Sequence, residues 1–479
     1  MRFLAIPFLF FSFLLSAAKS VTYNVQSYGA KSHGRSDSTN SFLSAWAAAC
    51  ASVAPATIYV PPGRFLVGGA SFWGQNCKNN AITIRIDGTL VAPSDYNVLG
   101  HSGNWLKFET VNGLSIYGGT LDGQGTGLWA CKNSGKHCPQ GATTLGFTNS
   151  NNIAIAGLTS LNSQLFHLVF NGCNTVKLQG VKVSAAGNSP NTDGIHVQYS
   201  SGVTILNSKI STGDDCVSIG PGTTSLWIEN VLCGPGHGIS IGSLGKDFEE
   251  EGVQNVTVKN VTFKNTQNGV RIKSWGRPSK GFVKDVLFQH ATMINVQNPI
   301  IIDQNYCPDN INCPGQVSGI KINDVTYQDI HGTSATEIAV KFDCSKKNPC
   351  SGIRLEDVKL TYKNQPAKSS CANAAGTTLG LLGPAGTTIK SKEKGNGTSP
   401  ESSEHGRVRR DLRREPGLLH KCREILRHIV NVNVHVFLPC LKPLNRVSEL
   451  VPFLGRRAGG GSGRRRTGVT ARRGSVGKG

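Results

Sequence analysis

Charge is scarce in this 479-residue chain: charged residues make up 16% of it, aromatic residues 7%, and methionine occurs only 2 times. Together with the lack of any recurring amphipathic stretch of three turns, this argues against a coiled coil, a helical bundle or a helical solenoid. Beyond the first twenty residues no segment reaches the roughly 20 apolar residues that span a bilayer, which excludes a transmembrane body. The 14 cysteines include no CxxC pair and no His-rich spacing, which argues against a zinc site. What is abundant is glycine, 57 residues, beside many short Val/Ile/Thr segments, a composition suited to short strands joined by tight turns. The expected class is all-β.

The first twenty residues read as a signal peptide: Arg2, an apolar run from Phe3 to Leu15, then Ala18 and Ser20 placed for cleavage before Val21. A membrane anchor is the competing reading, and the run is short for it. Cysteine spacing agrees with an oxidising compartment. The disulfide candidates are Cys131 with Cys138, Cys216 with Cys233, Cys307 with Cys313, and Cys344 with Cys350. Asn255-Val256-Thr257 and Asn260-Val261-Thr262 are glycosylation sequons, usable in a secreted protein.

A degenerate repeat runs through the middle of the chain. Copies start at Gly113-Leu, Asn152-Ile, Thr175-Val, Gly202-Val, Ser225-Leu, Asn255-Val, Asp285-Val, Gly319-Ile and Gly352-Ile, each opening a short alternating strand. From Ile153 the first apolar positions advance by 23, 27, 23, 30, 30, 34 and 33 residues. Such a period indicates a solenoid, and the variable step with period-two strands, lacking a leucine and asparagine ladder, selects a parallel β-helix over leucine-rich repeats. An Ala- and Cys-rich segment around Ser44 to Ala54 is expected to form a short helix capping its N-terminal end. The expected organisation is a leader at 1–20, a β-helix at 21–386 and a basic tail at 387–479, disordered or partly helical.

Four motifs fall on this ladder: Asn191-Thr192-Asp193-Gly194, Gly213-Asp214-Asp215-Cys216, Gly236-His237-Gly238 and Arg271-Ile272-Lys273. Asp193 to Asp215 and Asp215 to His237 are both 22 residues, one coil each, so the three should stack, with Asn268 in the equivalent place one coil later. Strand parity points Arg271 and Lys273 outward, toward the same face. Singly, each motif has a bland reading: Gly-Asp is an ordinary turn former, a lone His is usually structural, and Arg with Lys is usually a solvated pair. Jointly they bring three carboxylates, an imidazole and two cations to one face, an arrangement costly for stability and suited to acid/base chemistry on an anionic substrate.

These residues, read as NTDGIHV from Asn191, GDDCVSIG from Gly213, GPGHGISIGSLG from Gly234, RIKSWG from Arg271 and NPIIIDQNYCP from Asn298, resemble those of the plant polygalacturonases. These are the family 28 glycoside hydrolases that cut the galacturonan backbone of pectin, and the resemblance extends from about Tyr23 to about Pro384. It implies a right-handed β-helix and an inverting, metal-independent hydrolysis of α-1,4-galacturonosyl bonds, with no cofactor. By the same resemblance Asp214 is expected as general acid, Asp193 and Asp215 as the pair that holds and deprotonates water, and His237 as the residue setting protonation or hydrogen bonding of the acid. Arg271 and Lys273 are expected to bind the substrate carboxylate, and Tyr306 to stack on or hydrogen-bond a sugar, unless it merely covers the Cys307 disulfide.

The expectation is thus a secreted, extracellular, cell-wall enzyme acting on homogalacturonan, de-esterified pectin, as a monomer, most simply in the endo mode. It involves no nucleic acid and no membrane anchor. Exo attack and rhamnogalacturonan hydrolysis are near alternatives. A pectate lyase, using calcium and an Arg base, is the rival enzyme, and a non-catalytic pectin-binding β-helix the rival class. From Thr387 onward 21 Lys/Arg face 7 Asp/Glu, a net +14, without the strand repeat. This abrupt change is read as an altered frame or read-through in preference to a basic binding arm. It leaves the partner of Cys371 open, with Cys422 and Cys440 downstream. Residues 21–386 carry a net +5, a modest bias toward a polyanionic substrate.

Overall fold

A computed structural model describes residues 20–379, without the side chain of Asp309. The expected leader, apart from Ser20, and the whole basic tail with Cys422 and Cys440 lie outside the described residues. The chain winds as a right-handed parallel β-helix, the hand that parallel crossovers favour. Its strands form one 19-stranded and one 11-stranded sheet. The 11-stranded sheet, here the front sheet, includes β1 (Ile195–Gln198), β2 (Val217–Ile219), β3 (Ile239–Leu244), β4 (Asn268–Trp275) and β5 (Asn298–Tyr306).

Alternation decides which side chains stack inside. Along the front sheet Phe72, Phe108, Phe147 and Phe170 are aligned in successive strands, their rings stacked at centroid distances of 4.7, 5.3 and 5.1 Å. Val197, Ile219, Ile241, Ile272, Ile302 and Phe342 continue the same row. Full burial of each such side chain stabilises the coil by roughly 1.5–3 kcal/mol, so the row acts as a spine.

At the N-terminal end the row is closed by helix α1 (Thr39–Ala51), whose buried face is Phe42, Ala45, Trp46 and Ala49. The Trp46 ring lies edge-on, 5.6 Å from Phe72 and 5.5 Å from Phe108, covering the open end of the stack. The helix begins earlier and ends earlier than the expected Ser44–Ala54 stretch, because Phe42 belongs to the packed face and Pro55 disfavours helical backbone just before it.

Among the described residues five disulfides staple the coils. Cys131 is bonded to Cys138, Cys216 to Cys233, Cys307 to Cys313 and Cys344 to Cys350, the pairs that close spacing suggests. Three of these close short local loops: Cys138 returns to the helix Thr126–Asn133 that carries Cys131, Cys313 to the end of β5, and Cys350 to the loop opened by Cys344. The fifth, Cys50 with Cys77, was not among the expected pairs and fixes the last turn of α1. Cys173 is buried in the core without a bridge.

One copy of the repeat stands in a different place from that expected. Val286 pairs with Val325, not Ile320, and Val325 with Ile353, so the late steps are 39 and 28 residues. The reason is a ladder of left-handed backbone at the residue before each first apolar position: Asn152, Thr175, Gly202, Ser225, Asn255, Asp285, Asp324 and Gly352 all have positive φ. Asp324, not Gly319, supplies that corner in its coil. The sequon residues Asn255 and Asn260 are both exposed at such corners.

Candidate active site

The site is built at the N-terminal edges of β1 to β4, where successive coils bring their turns together. Strand register aligns Ile195 with Val217, Val217 with Ile239 and Ile239 with Val270, which stacks Asp193, Asp215 and His237 as the 22-residue steps require and puts Asn268, 31 residues after His237, in the next place. Backbone bonds lock the stack: Gly194 N–H donates to Asp215 O at 2.9 Å, and Cys216 N–H to Gly238 O at 2.7 Å. Gly238 is required here, since its φ is +91° and a Cβ would lie 2.2 Å from Asn268 O. The Cys216–Cys233 disulfide ties the same turn to the 19-stranded sheet.

Asp215 is the electrostatic centre. Its carboxylate is 1% exposed and accepts from Arg271 Nη2 at 2.8 Å and Ser240 Oγ at 2.7 Å on Oδ1, and from Lys273 Nζ at 2.9 Å on Oδ2. Burial alone would raise its pKa, but Lys273 and Arg271, with the hydrogen bonds, outweigh burial and hold the group well below the usual carboxylate range. Asp193, 6% exposed, goes the other way: burial first, then the charges of Asp214 and Asp215, push it well above that range despite Ser218 and Lys273. Two neighbouring acids are therefore shifted in opposite directions.

Asp214 is the most accessible of the three, its side chain 19% exposed, and its Oδ1 lies 3.1 Å from Nδ1 of His237. Arg271 and Lys273 reach the site from the outward side of β4 but are neither a solvated pair nor idle, since both are over nine-tenths buried on Asp215. Tyr306 lies beside the cluster, with Lys273 Nζ 5.2 Å over its ring. Three residues escaped the sequence reading. Ser218 and Ser240 are the outward positions of β2 and β3, and His196, outward on β1, hydrogen-bonds Ser218 Oγ at 2.8 Å and Gln198 Oε1 at 3.1 Å. The parity that turns Arg271 outward also turns these positions outward, but serine offers no chemical signal of its own.

Asp214, Asp215 and His237 each present one ligand atom within 4.8 Å of the others, the spacing of a metal site. The set does not fit one, because Asp215 already faces two cations with both oxygens, and a dication would sit against Lys273 and Arg271. What the arrangement can do is proton transfer: an accessible carboxyl beside an imidazole, and behind it one carboxylate held low by two cations next to one pushed upward by burial and its acidic neighbours.

A parallel β-helix that gathers three carboxylates on its front sheet is an architecture suited to a glycosidase. The chain belongs to glycosyl hydrolases family 28, whose model matches residues 50–380. It is 69% identical over 379 residues to a polygalacturonase of Prunus persica, covering 78% of this chain and 96% of that one. It is 44% identical over 369 residues to an exopolygalacturonase of Platanus acerifolia, covering 76% and 97%. Among solved structures, an endo-xylogalacturonan hydrolase of Aspergillus tubingensis superposes with a TM-score of 0.65 at 22% identity, over 78% of this chain and 100% of that one. An exopolygalacturonase of Thermotoga maritima does so with 0.61 at 17%, over 75% and 92%. At such identities the two structures establish the fold alone.

Proposed function

We propose that the chain hydrolyses the α-1,4-galacturonosyl bonds of polygalacturonan by a single displacement with inversion, attacking within the polymer. Asp214 gives its proton to the leaving glycosidic oxygen as the bond to the anomeric carbon breaks. Water attacks that carbon from the opposite side and loses a proton to the Asp193–Asp215 pair. His237, against Asp214 Oδ1, sets the proton on the acid. Tyr306 and the remaining donors of Lys273 and Arg271 receive the sugar and its carboxylate.

The observation that carries this reading is the division of labour among the acids, Asp214 open to the groove and Asp215 pinned between Arg271 and Lys273. The nearest oxygens of Asp214 and Asp215 lie within 4.8 Å, close to the spacing of a double displacement. Against that, both Asp215 oxygens are already engaged, by Arg271 and Ser240 on one and Lys273 on the other, which leaves neither free to form the covalent bond of a nucleophile. A lyase needs a free Arg base at the reacting carbon, and the arginine that stands among the acids, Arg271, is committed to Asp215 and Ser240.

Five disulfides and the leader read in the sequence support a secreted enzyme of the cell wall. A second reading, attack at chain ends, is favoured by the relative called an exopolygalacturonase at 44% identity. Incubation of the purified protein with de-esterified pectin tests both. Saturated products with inverted anomeric configuration by NMR support hydrolysis by single displacement, and viscosity falling well ahead of reducing-end release supports endo attack. Unsaturated products, or retained configuration, overturn the mechanism, and viscosity tracking end release moves the assignment to exo.

A further inference from the structure

Beyond Lys273 the outward side of β4 continues into residues that the acid/base chemistry does not use. Trp275 packs edge-on against Tyr306, with ring centroids 5.2 Å apart and planes at 70°, and Arg277 lies over the Trp275 ring at 5.6 Å. The Tyr306 ring also carries Lys273 Nζ at 5.2 Å, so a continuous shelf of cation, ring, ring and cation leads outward from Asp215. Arg277 differs from Lys273, the other cation of this shelf. Its side chain donates to the Lys246 carbonyl from Nη1 at 3.2 Å, and among the described residues no carboxylate comes within ion-pair reach of it.

A half-buried guanidinium, oriented by a carbonyl and an aromatic face yet lacking an anionic partner, is a prepared site for a planar carboxylate. A pyranose ring beside it would have Trp275 and Tyr306 as its apolar surface.

We propose that Arg277 and Trp275 form a binding subsite for the galacturonosyl unit next to the one received at Lys273 and Tyr306, with Arg277 taking that unit's carboxylate and Trp275 its ring. This rests on the reading of the substrate as polygalacturonan. The subsite would make affinity depend on a free carboxylate one sugar beyond the unit at Lys273 and Tyr306, and so would set tolerance of methyl esters at that position.

Calorimetry in the Asp214→Asn protein, which removes turnover, tests the subsite with trigalacturonate and its methyl ester as probes. Arg277→Gln in that background should weaken trigalacturonate by about tenfold, the order expected for a charge-assisted hydrogen bond, and leave the ester unchanged. Trp275→Leu should weaken both, and Arg277→Lys should fall between Gln and Arg. Thermal melting checks that each variant is folded. Equal affinities in the Gln variant and its parent, or an equal loss for acid and ester, overturn the subsite while leaving the substrate reading intact. If the parent binds neither probe and the wild-type protein leaves polygalacturonate uncut, the substrate reading fails, and the subsite with it.

Discussion

Lys273 Nζ lies 2.9 Å from Asp215 Oδ2 with both side chains withdrawn from water, at 9% and 1% exposure. Such a pair is held by its surroundings, and breaking it strands the survivor. Arg271 remains on the other oxygen of Asp215 after loss of Lys273, but one oxygen is then buried without a donor.

Lys273→Ala is therefore expected to lower stability by about 3 kcal/mol at neutral pH and to reduce kcat as well as affinity. With less positive charge beside it the Asp215 carboxyl titrates higher, so the acidic limb of the pH–rate profile moves upward. Denaturant melts and a pH series of initial rates measure both. A variant with raised KM alone would mean that Lys273 touches only substrate.

Asp193 and Asp215 have opposite linkage to folding. The folded pKa of Asp215 is depressed, so its stabilising contribution is present above the unfolded carboxylate value and is lost as pH falls through the folded one. The folded pKa of Asp193 is raised, so the folded chain holds a proton that the unfolded chain releases, and stability is lost as pH rises from about 4 through the folded value. Asp193→Asn should then melt higher than wild type at pH 7, equal it near pH 3, and turn over substrate at least about a hundredfold more slowly. Paired melts at the two pH values check this, and a variant less stable at pH 7 would contradict the origin of the shift.

Ser240 is wholly buried, giving its proton to Asp215 Oδ1 at 2.7 Å while accepting from Arg271 Nε at 2.9 Å. Removing the hydroxyl by Ser240→Ala should reduce kcat by about tenfold with KM little changed, and should raise the acidic limb of the pH profile. Restoration of the limb by Ser240→Thr would separate this positioning role from a simple packing defect. A drop in stability with an unmoved profile would assign Ser240 to the core instead.

Chelation should leave the rate unchanged, because Lys273 and Arg271 occupy the negative charge that a divalent ion would need. Initial rates before and after exhaustive dialysis against EDTA make the comparison. Loss of activity recovered by added calcium would point to the lyase alternative.

Much of this arrangement was legible in the sequence because strand register is local. Equal coil lengths put Asp193, Asp215 and His237 at 22-residue steps, and the strands keep that register. Bridges within one loop are legible for the same reason, as Cys138, Cys313 and Cys350 each lie 6 or 7 residues after the partner they bond. Cys50 and Cys77, 27 residues apart, meet because a helix end packs on a neighbouring loop, which spacing along the chain cannot reveal. Where a coil carries an insertion the register logic failed: Gly319 resembles a corner residue, yet the corner with positive φ is Asp324. The burial of Arg271 and Lys273 was also hidden, since their partner Asp215 lies 56 and 58 residues away and only the stacked coils bring it within reach.

The assignment of Asp214 as the proton donor is tested most directly by Asp214→Asn, which keeps the side chain's shape and its neighbour His237 but removes the transferable proton. Turnover of polygalacturonate should fall by at least about a hundredfold, with melting temperature and trigalacturonate binding close to those of the unaltered protein. Ordinary turnover in that variant would contradict the account, and the acid would have to be sought elsewhere on the front sheet.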